Sequence, residues 1–270
     1  MIEQPPPYDK RLLSAARSVH PSPIPVKVAI LTDIHSNLPA LEATLAAIDE
    51  AGIERRWCLG DVVGYGAQPD QCTKLVSERC ELSLVGNHDL AVTGEISTEV
   101  FSASAAAAVE WTRANSDTST IDFLKAHKPE NTEHDVALYH ASPRDPVCEY
   151  VLAVDQAREC IEEQAARVSF IGHSHVALWF SDSDGPPGAD GGGQAEDGRE
   201  MDLSEHRWLL NPGSVGQPRD GDWHAAYVLY TPAKQLIELR RLEYDIWTAQ
   251  DKIVAAGLPQ RLADRLALGK

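Results

Sequence analysis

The sequence predicts an α/β fold that begins on a parallel sheet and ends in a mixed one. Three observations carry this. Short apolar runs in the first half end in polar turns and lead into amphipathic stretches, the grammar of repeated β-α units. After about residue 176 the apolar runs are joined by turns alone, as in mixed or antiparallel sheets. The 270 residues have an ordinary apolar content, enough to bury a sizeable core.

Residues 1–25 are dotted with proline and charge and read as a weakly ordered arm, not a signal peptide. Val26 to Leu31 reads as a buried strand that ends at Asp33. Asn37 caps a helix whose core face is Leu38, Leu41, Leu45 and Ile48, and Gly52 closes it. A second strand, Arg56 to Leu59, ends at Asp61, and Pro69 to Arg79 forms the second helix. Leu82 to Val85 is a third strand, ending at Asn87. The alanine-rich stretch from Ser102 to Ala126 reads as helix with a break near Asn115. Val136 to Tyr139 is a strand that delivers His140; Val154 to Ala166 is helical; Val168 to Ile171 delivers His173 and His175. Further strands are expected at Val176–Phe180, Trp208–Leu210, Ala225–Tyr230 and Leu236–Leu242, and one or two helices over 244–270. The stretch 184–198 is glycine, proline and acid with almost no apolar residue, and reads as a disordered surface loop.

Charge narrows the partners. Lys+Arg 24 against Asp+Glu 41 leaves a net charge of −17, which repels an extended nucleic-acid backbone. No segment approaches the roughly 20 apolar residues of a membrane helix. The five cysteines, Cys58, Cys72, Cys80, Cys148 and Cys160, include no C-x-x-C pair and read as reduced. A soluble, cytoplasmic protein is the expectation.

Chemistry concentrates in five turns: Asp33-Ile34-His35, Gly60-Asp61, Gly86-Asn87-His88-Asp89, His140, and Gly172-His173-Ser174-His175. Aspartate, histidine and asparagine suit a divalent cation that must also hold water and phosphate oxygens. Each residue alone is an ordinary cap or turn residue. All five together at strand ends, which converge in space, point to one centre. A carboxylate such as Asp61 has two oxygens and can bridge two cations. Tyr65 could stack on a leaving group or simply fill a glycine-rich loop. Arg144 and Arg219 could pair with a phosphate or with surface acids. Asn211 to Gly216 reads as a turn between strands.

Taken in order, Asp-x-His, Gly-Asp, Gly-Asn-His-Asp, a lone His and Gly-His-x-His resemble the calcineurin-like metallophosphoesterases, over roughly Lys27 to Arg241. Asn211-Pro212-Gly213-Ser214-Val215-Gly216 and the short chain resemble its small bacterial and archaeal phosphodiesterase branch. The resemblance implies a four-layer α-β-β-α sandwich spanning 26–243, with the site on its rim. It implies Asp33, His35, Asp61 and His175 around one metal ion and Asp61, Asn87, His140 and His173 around a second. Where family members often carry His-Gly, this chain reads His140-Ala141. His88 would meet substrate, oriented by Asp89. The ions would be Mn, Fe, Zn, Ni or Co, and the substrate a small phosphodiester or nucleotide hydrolysed by activated water. Dinucleoside polyphosphates and phosphoprotein are alternative substrates, and a non-enzymatic scaffold is a third reading, against which His88 stands.

Overall fold

The computed structural model describes residues 27–183 and 191–270. The arm expected at 1–25 and the segment 184–190 lie outside the described residues.

The first β-α units form as the pattern requires: β1 Val28–Leu31, α1 Leu38–Glu50, β2 Arg55–Cys58, α2 Pro69–Arg79 and β3 Leu82–Ser83. The Asn37 side chain caps α1 by accepting from the Ala40 N–H. β1, β2 and β3 pair in parallel. Three helices follow, α3 Asn87–Thr93, α4 Ala103–Asn115 and α5 Thr118–Lys125. The break falls at Ser116 and Asp117, as the sequence expects near Asn115.

The second half runs β4 Glu130–Asn131, β5 Ala137–Tyr139, α6 Val154–Glu163, β6 Val168–Phe170, β7 Ala177–Ser181, β8 Gly192–Gln194, β9 Glu200–Asp202 and β10 Trp208–Pro212. It closes with β11 Ala225–Thr231, β12 Leu236–Leu242, α7 Ile246–Ala255 and α8 Gln260–Asp264. These strands do not make one late sheet. β11, β12 and β9 extend the first sheet, in the order β3-β2-β1-β11-β12-β9, while β4-β5-β6-β10-β7-β8 is the second. Both are mixed: β1 pairs antiparallel with β11, and β10 pairs parallel with β6 and antiparallel with β7.

Side-chain alternation makes the layers. Val28 and Ile30 point into a core shared with Leu138, Phe170 and Trp179 of the other sheet, so this core lies between the sheets. Ala29, Leu31 and Cys58 point the other way, against α1, α2, α4, α7 and α8. Ala137, Tyr139, Leu178 and Phe180 pack on α6. The result is the four-layer α-β-β-α sandwich. Ile246, Ile253 and Leu262 lie in the same core as α1, so the C-terminal helices belong to the body of the fold.

One expectation is corrected. The stretch read as a disordered loop over 184–198 is ordered from residue 191, because backbone pairing needs no apolar side chains: β8 hydrogen-bonds along β7.

Candidate metal centre

All seven residues expected to hold metal meet at one edge of the two sheets. Asp33, His35, Asp61 and Asn87 come from the loops after β1, β2 and β3; His140, His173 and His175 come from those after β5 and β6. Their donor atoms form two sets. Asp33, His35, Asp61 and His175 lie within 4.8 Å of one another, as do Asp61, His140 and His173, so Asp61 is common to both. Asn87 joins the second set, with its Oδ1 3.3 Å from His140 Nε2.

Backbone strain accompanies the donors. Of nine non-glycine residues with positive φ among the described residues, seven are here: Asp33, His35, Ser36, Asp61, Tyr65, His173 and His175. Such conformations persist where surrounding contacts enforce them. Thr32 O and Asp33 O accept from Val215 N and Gly216 N, and Ser214 Oγ donates to Asp33 O at 2.8 Å. The Asn211–Gly216 segment, read from sequence as a turn between strands, therefore also braces the Asp33 loop. Gly86 and Gly172 serve close approach: a Cβ at Gly86 would sit 2.1 Å from Asp61 Oδ1, and one at Gly172 2.1 Å from Thr32 Oγ1.

Second contacts aim the imidazoles. Nδ1 of His35, His140 and His175 donates to the carbonyls of Val63, Leu59 and Gln217 at 3.1, 3.0 and 2.7 Å. His173 is turned the other way, Nε2 meeting Cys148 O at 3.0 Å and Nδ1 being left for the centre. With Nδ1 protonated, the Nε2 atoms of His35 and His175, 3.1 Å apart, face each other as lone pairs. Asp33 Oδ1 and Asp61 Oδ2 are buried with no hydrogen-bond partner among the described residues. Facing lone pairs beside orphaned carboxylate oxygens repel unless a cation lies among them. The donor set fits divalent metal.

Titration follows burial. Desolvation lifts Asp33 to about 7 and raises Asp61 well above the usual carboxylate range. Burial likewise lowers His35, His140 and His175, and takes His173 down to about 4. The imidazoles are thus neutral and ready to ligate.

His88 stands beside the donors on the first turn of α3. Its ring packs edge-on to His35 at 4.9 Å and against Tyr65 at 4.3 Å, and its buried Nδ1 has no partner. The expected orientation of His88 by Asp89 is corrected. The Asp89 carboxylate accepts from Val62, Val63 and Gly86 N–H at 3.2, 3.0 and 3.0 Å, and so spends its oxygens tying two ligand loops together.

A cleft of about 340 Å³ opens over Asn87, His88 and His173. Tyr65 and Arg219 line it; the Arg219 guanidinium donates to Tyr65 Oη and Gln217 Oε1. Arg144 does not reach it. That side chain is paired with Glu149 and Glu159, the surface ion pair that was the alternative reading. Sequence reasoning missed Val100, Phe101, Tyr150, Arg261 and Arg265 in the walls. The i, i+4 spacing of the two arginines was the only signal, and it says nothing of where a helix docks.

Residues 26–234 match the calcineurin-like phosphoesterase superfamily domain. The chain belongs to this superfamily. It is 38% identical to an uncharacterized protein of Methanocaldococcus jannaschii, MJ0912, over 90% of this chain and 98% of that one. It is similar to the crystal structure of a metallophosphoesterase from Sphaerobacter thermophilus, with 34% identity, a TM-score of 0.82, and coverage of 91% of this chain and 99% of the other. A hypothetical protein of Pyrococcus horikoshii, PH1004, shares the fold at 18% identity and a TM-score of 0.73, with 91% and 99% covered. Bacterial and archaeal relatives of matching length place this calcineurin-like phosphoesterase in the small prokaryotic branch. No helix among its described residues is long and apolar enough to cross a membrane.

Proposed function

We propose that this phosphoesterase holds two divalent metal ions and hydrolyses a small phosphodiester or nucleotide. The observation that carries the reading is Asp61: one buried carboxylate shared by two donor sets, the second of which reaches an open cleft through Asn87 and His173. Asp33, His35, Asp61 and His175 would hold one ion, and Asp61, Asn87, His140 and His173 the other. Mn, Fe, Zn, Ni and Co all suit these nitrogen and oxygen donors. Such ions lower the pKa of water and neutralise phosphoryl oxygens.

The protein's own groups supply the rest. Arg219 faces the cleft and offers charge-assisted hydrogen bonds to a phosphoryl oxygen. Tyr65 gives a face for the leaving group. Burial, then Arg219, hold His88 below its ordinary pKa, so the ring is neutral before substrate enters. The negative charge of an incoming phosphate opposes the Arg219 effect and draws a proton from solvent to the ring, which then meets the leaving oxygen. Water oxygen bonds to phosphorus and releases a proton to solvent as the ester P–O bond breaks. The proton on His88 passes to the departing alkoxide, so the proton taken up by the ring and the proton lost by water balance. Five free cysteines suit a reducing, cytoplasmic setting.

The test is hydrolysis of an aryl phosphodiester by metal-loaded protein, with metal content measured alongside. His88→Ala should lower kcat by about 10²-fold or more while bound metal stays. Undiminished turnover in that variant would remove His88 from the reaction. A protein that binds no metal would favour the scaffold. A panel including phosphoprotein and dinucleoside polyphosphates separates the enzymatic alternatives.

A further inference from the structure

Six of the described arginines in this acidic chain are neutralised. Arg55, Arg56, Arg79, Arg144, Arg240 and Arg241 each pair with a carboxylate. Three at the cleft differ. Arg219 and Arg261 have no carboxylate within ion-pair distance among the described residues, and Arg265 is held by a hydrogen bond from its Nε to Lys270 O, yet all three line the same cavity as His88 and His173. The Arg219 and Arg265 guanidiniums lie 5.6 and 5.8 Å from the centre of one ring, Tyr65. Arg265 is half-buried, and burial together with the charges of Arg219 and Arg261 lowers its pKa.

Like charges crowded together cost free energy, and the fold holds them there. α8 is fixed by Leu262 and Ala263 in the core, and the chain end is pinned where Gly221 N donates to Gly269 O. Even with Asp33 and Asp61 ionised, two divalent ions at the proposed metal sites and three guanidiniums exceed what one phosphodiester anion can neutralise. Val100, Phe101 and Tyr150 add apolar surface to the same cleft.

We propose that Arg261 and Arg265, with Arg219, form a subsite for a second phosphoryl group, so that the preferred substrate carries one besides the phosphate being cleaved. This rests on the phosphoesterase reading above. Two chemistries share the feature: adjacent phosphoryl groups, as in a nucleoside diphosphate, and separate ones, as in a sugar bisphosphate. Arginine suits either through its planar fork of donors.

The experiment compares wild type with Arg261→Ala and with Arg261→Ala/Arg265→Ala. Substrates are a plain aryl phosphodiester, a nucleoside diphosphate and a hexose bisphosphate. Calorimetric titration of metal-free protein with inorganic pyrophosphate is run in parallel. Arg261 is exposed and its side chain has no hydrogen-bond or ion-pair partner among the described residues, so the single variant guards against misfolding; melting curves check both. The expected result is a rise in KM for one doubly phosphorylated substrate at least about tenfold larger than for the aryl ester, with a similar loss of pyrophosphate affinity. Arg261→Lys should restore part of it. Whichever doubly phosphorylated substrate responds identifies the spacing. Equal effects on all substrates, with pyrophosphate binding unchanged, overturn the subsite. If wild type hydrolyses nothing, the reaction assigned above fails, while the pyrophosphate titration still decides the subsite.

Discussion

Asp33 shows how much a single buried residue can govern. Its carboxyl sits near 7 because burial outweighs the hydrogen bonds from Thr32 Oγ1 and His173 N–H. A metal ion needs the carboxylate, so uptake below about pH 7 must expel a proton, from Asp33 and from Asp61 as well. Apparent metal affinity should therefore rise as pH increases from about 6 to 7, roughly tenfold per unit for each proton displaced. Metal titrations at several pH values check this; affinity independent of pH would show that the two carboxyls are already ionised. Gly86 offers a second residue-scale prediction. Its φ is −106°, so alanine is not strained there, and the penalty comes only from a Cβ pressed against Asp61 Oδ1 and His140 Cε1. Gly86→Ala should lose most bound metal while the fold persists, read by elemental analysis beside circular dichroism. The donors themselves were legible in the sequence because their types and spacing are unusual together. The role of Asp89 was not, since a carboxylate three residues into a turn can face either a ring or backbone amides, and only packing decides.

The helices and strands were legible where pattern and cap agree. Asn37 announces α1, and proline at 69 opens α2. α3 escaped notice because six of its seven residues are buried, leaving no exposed face to give a helical period. β8 escaped for the converse reason, its sequence being two glycines and a glutamine. α3 matters because Asp89 joins its start to the loop after β2. Asp89→Ala leaves three buried N–H groups unpaired, at about 1–3 kcal/mol each. The variant should lose stability and metal together, in urea melts with metal analysis. A variant that kept both, and changed only the pH profile of turnover, would return Asp89 to the service of His88.

At the scale of the molecule, the sequence foretold parallel β-α units and a later mixed region but not their division into two sheets. Partner choice for β7 and β10 against β11 and β12 depends on which faces bury which side chains, information spread over the whole chain. Trp57 is the tightest witness to that arrangement. It is fully buried between the sheets, with Nε1 donating to Glu81 Oε1 at 2.6 Å. Trp57→Ala should cost about 3–5 kcal/mol, measured by urea denaturation at fixed metal concentration.

The order in which the donors occur along the chain carries a last consequence. Asp33, His35, Asp61 and Asn87 belong to one sheet, His140, His173 and His175 to the other, and the His175 ring is aimed by the carbonyl of Gln217. A nascent polypeptide leaving the ribosome therefore has no finished cage until about four-fifths of its length has emerged. On the proposed two-metal reading, metal capture would be a late event in the biogenesis of this protein, following the closure of its two halves on each other.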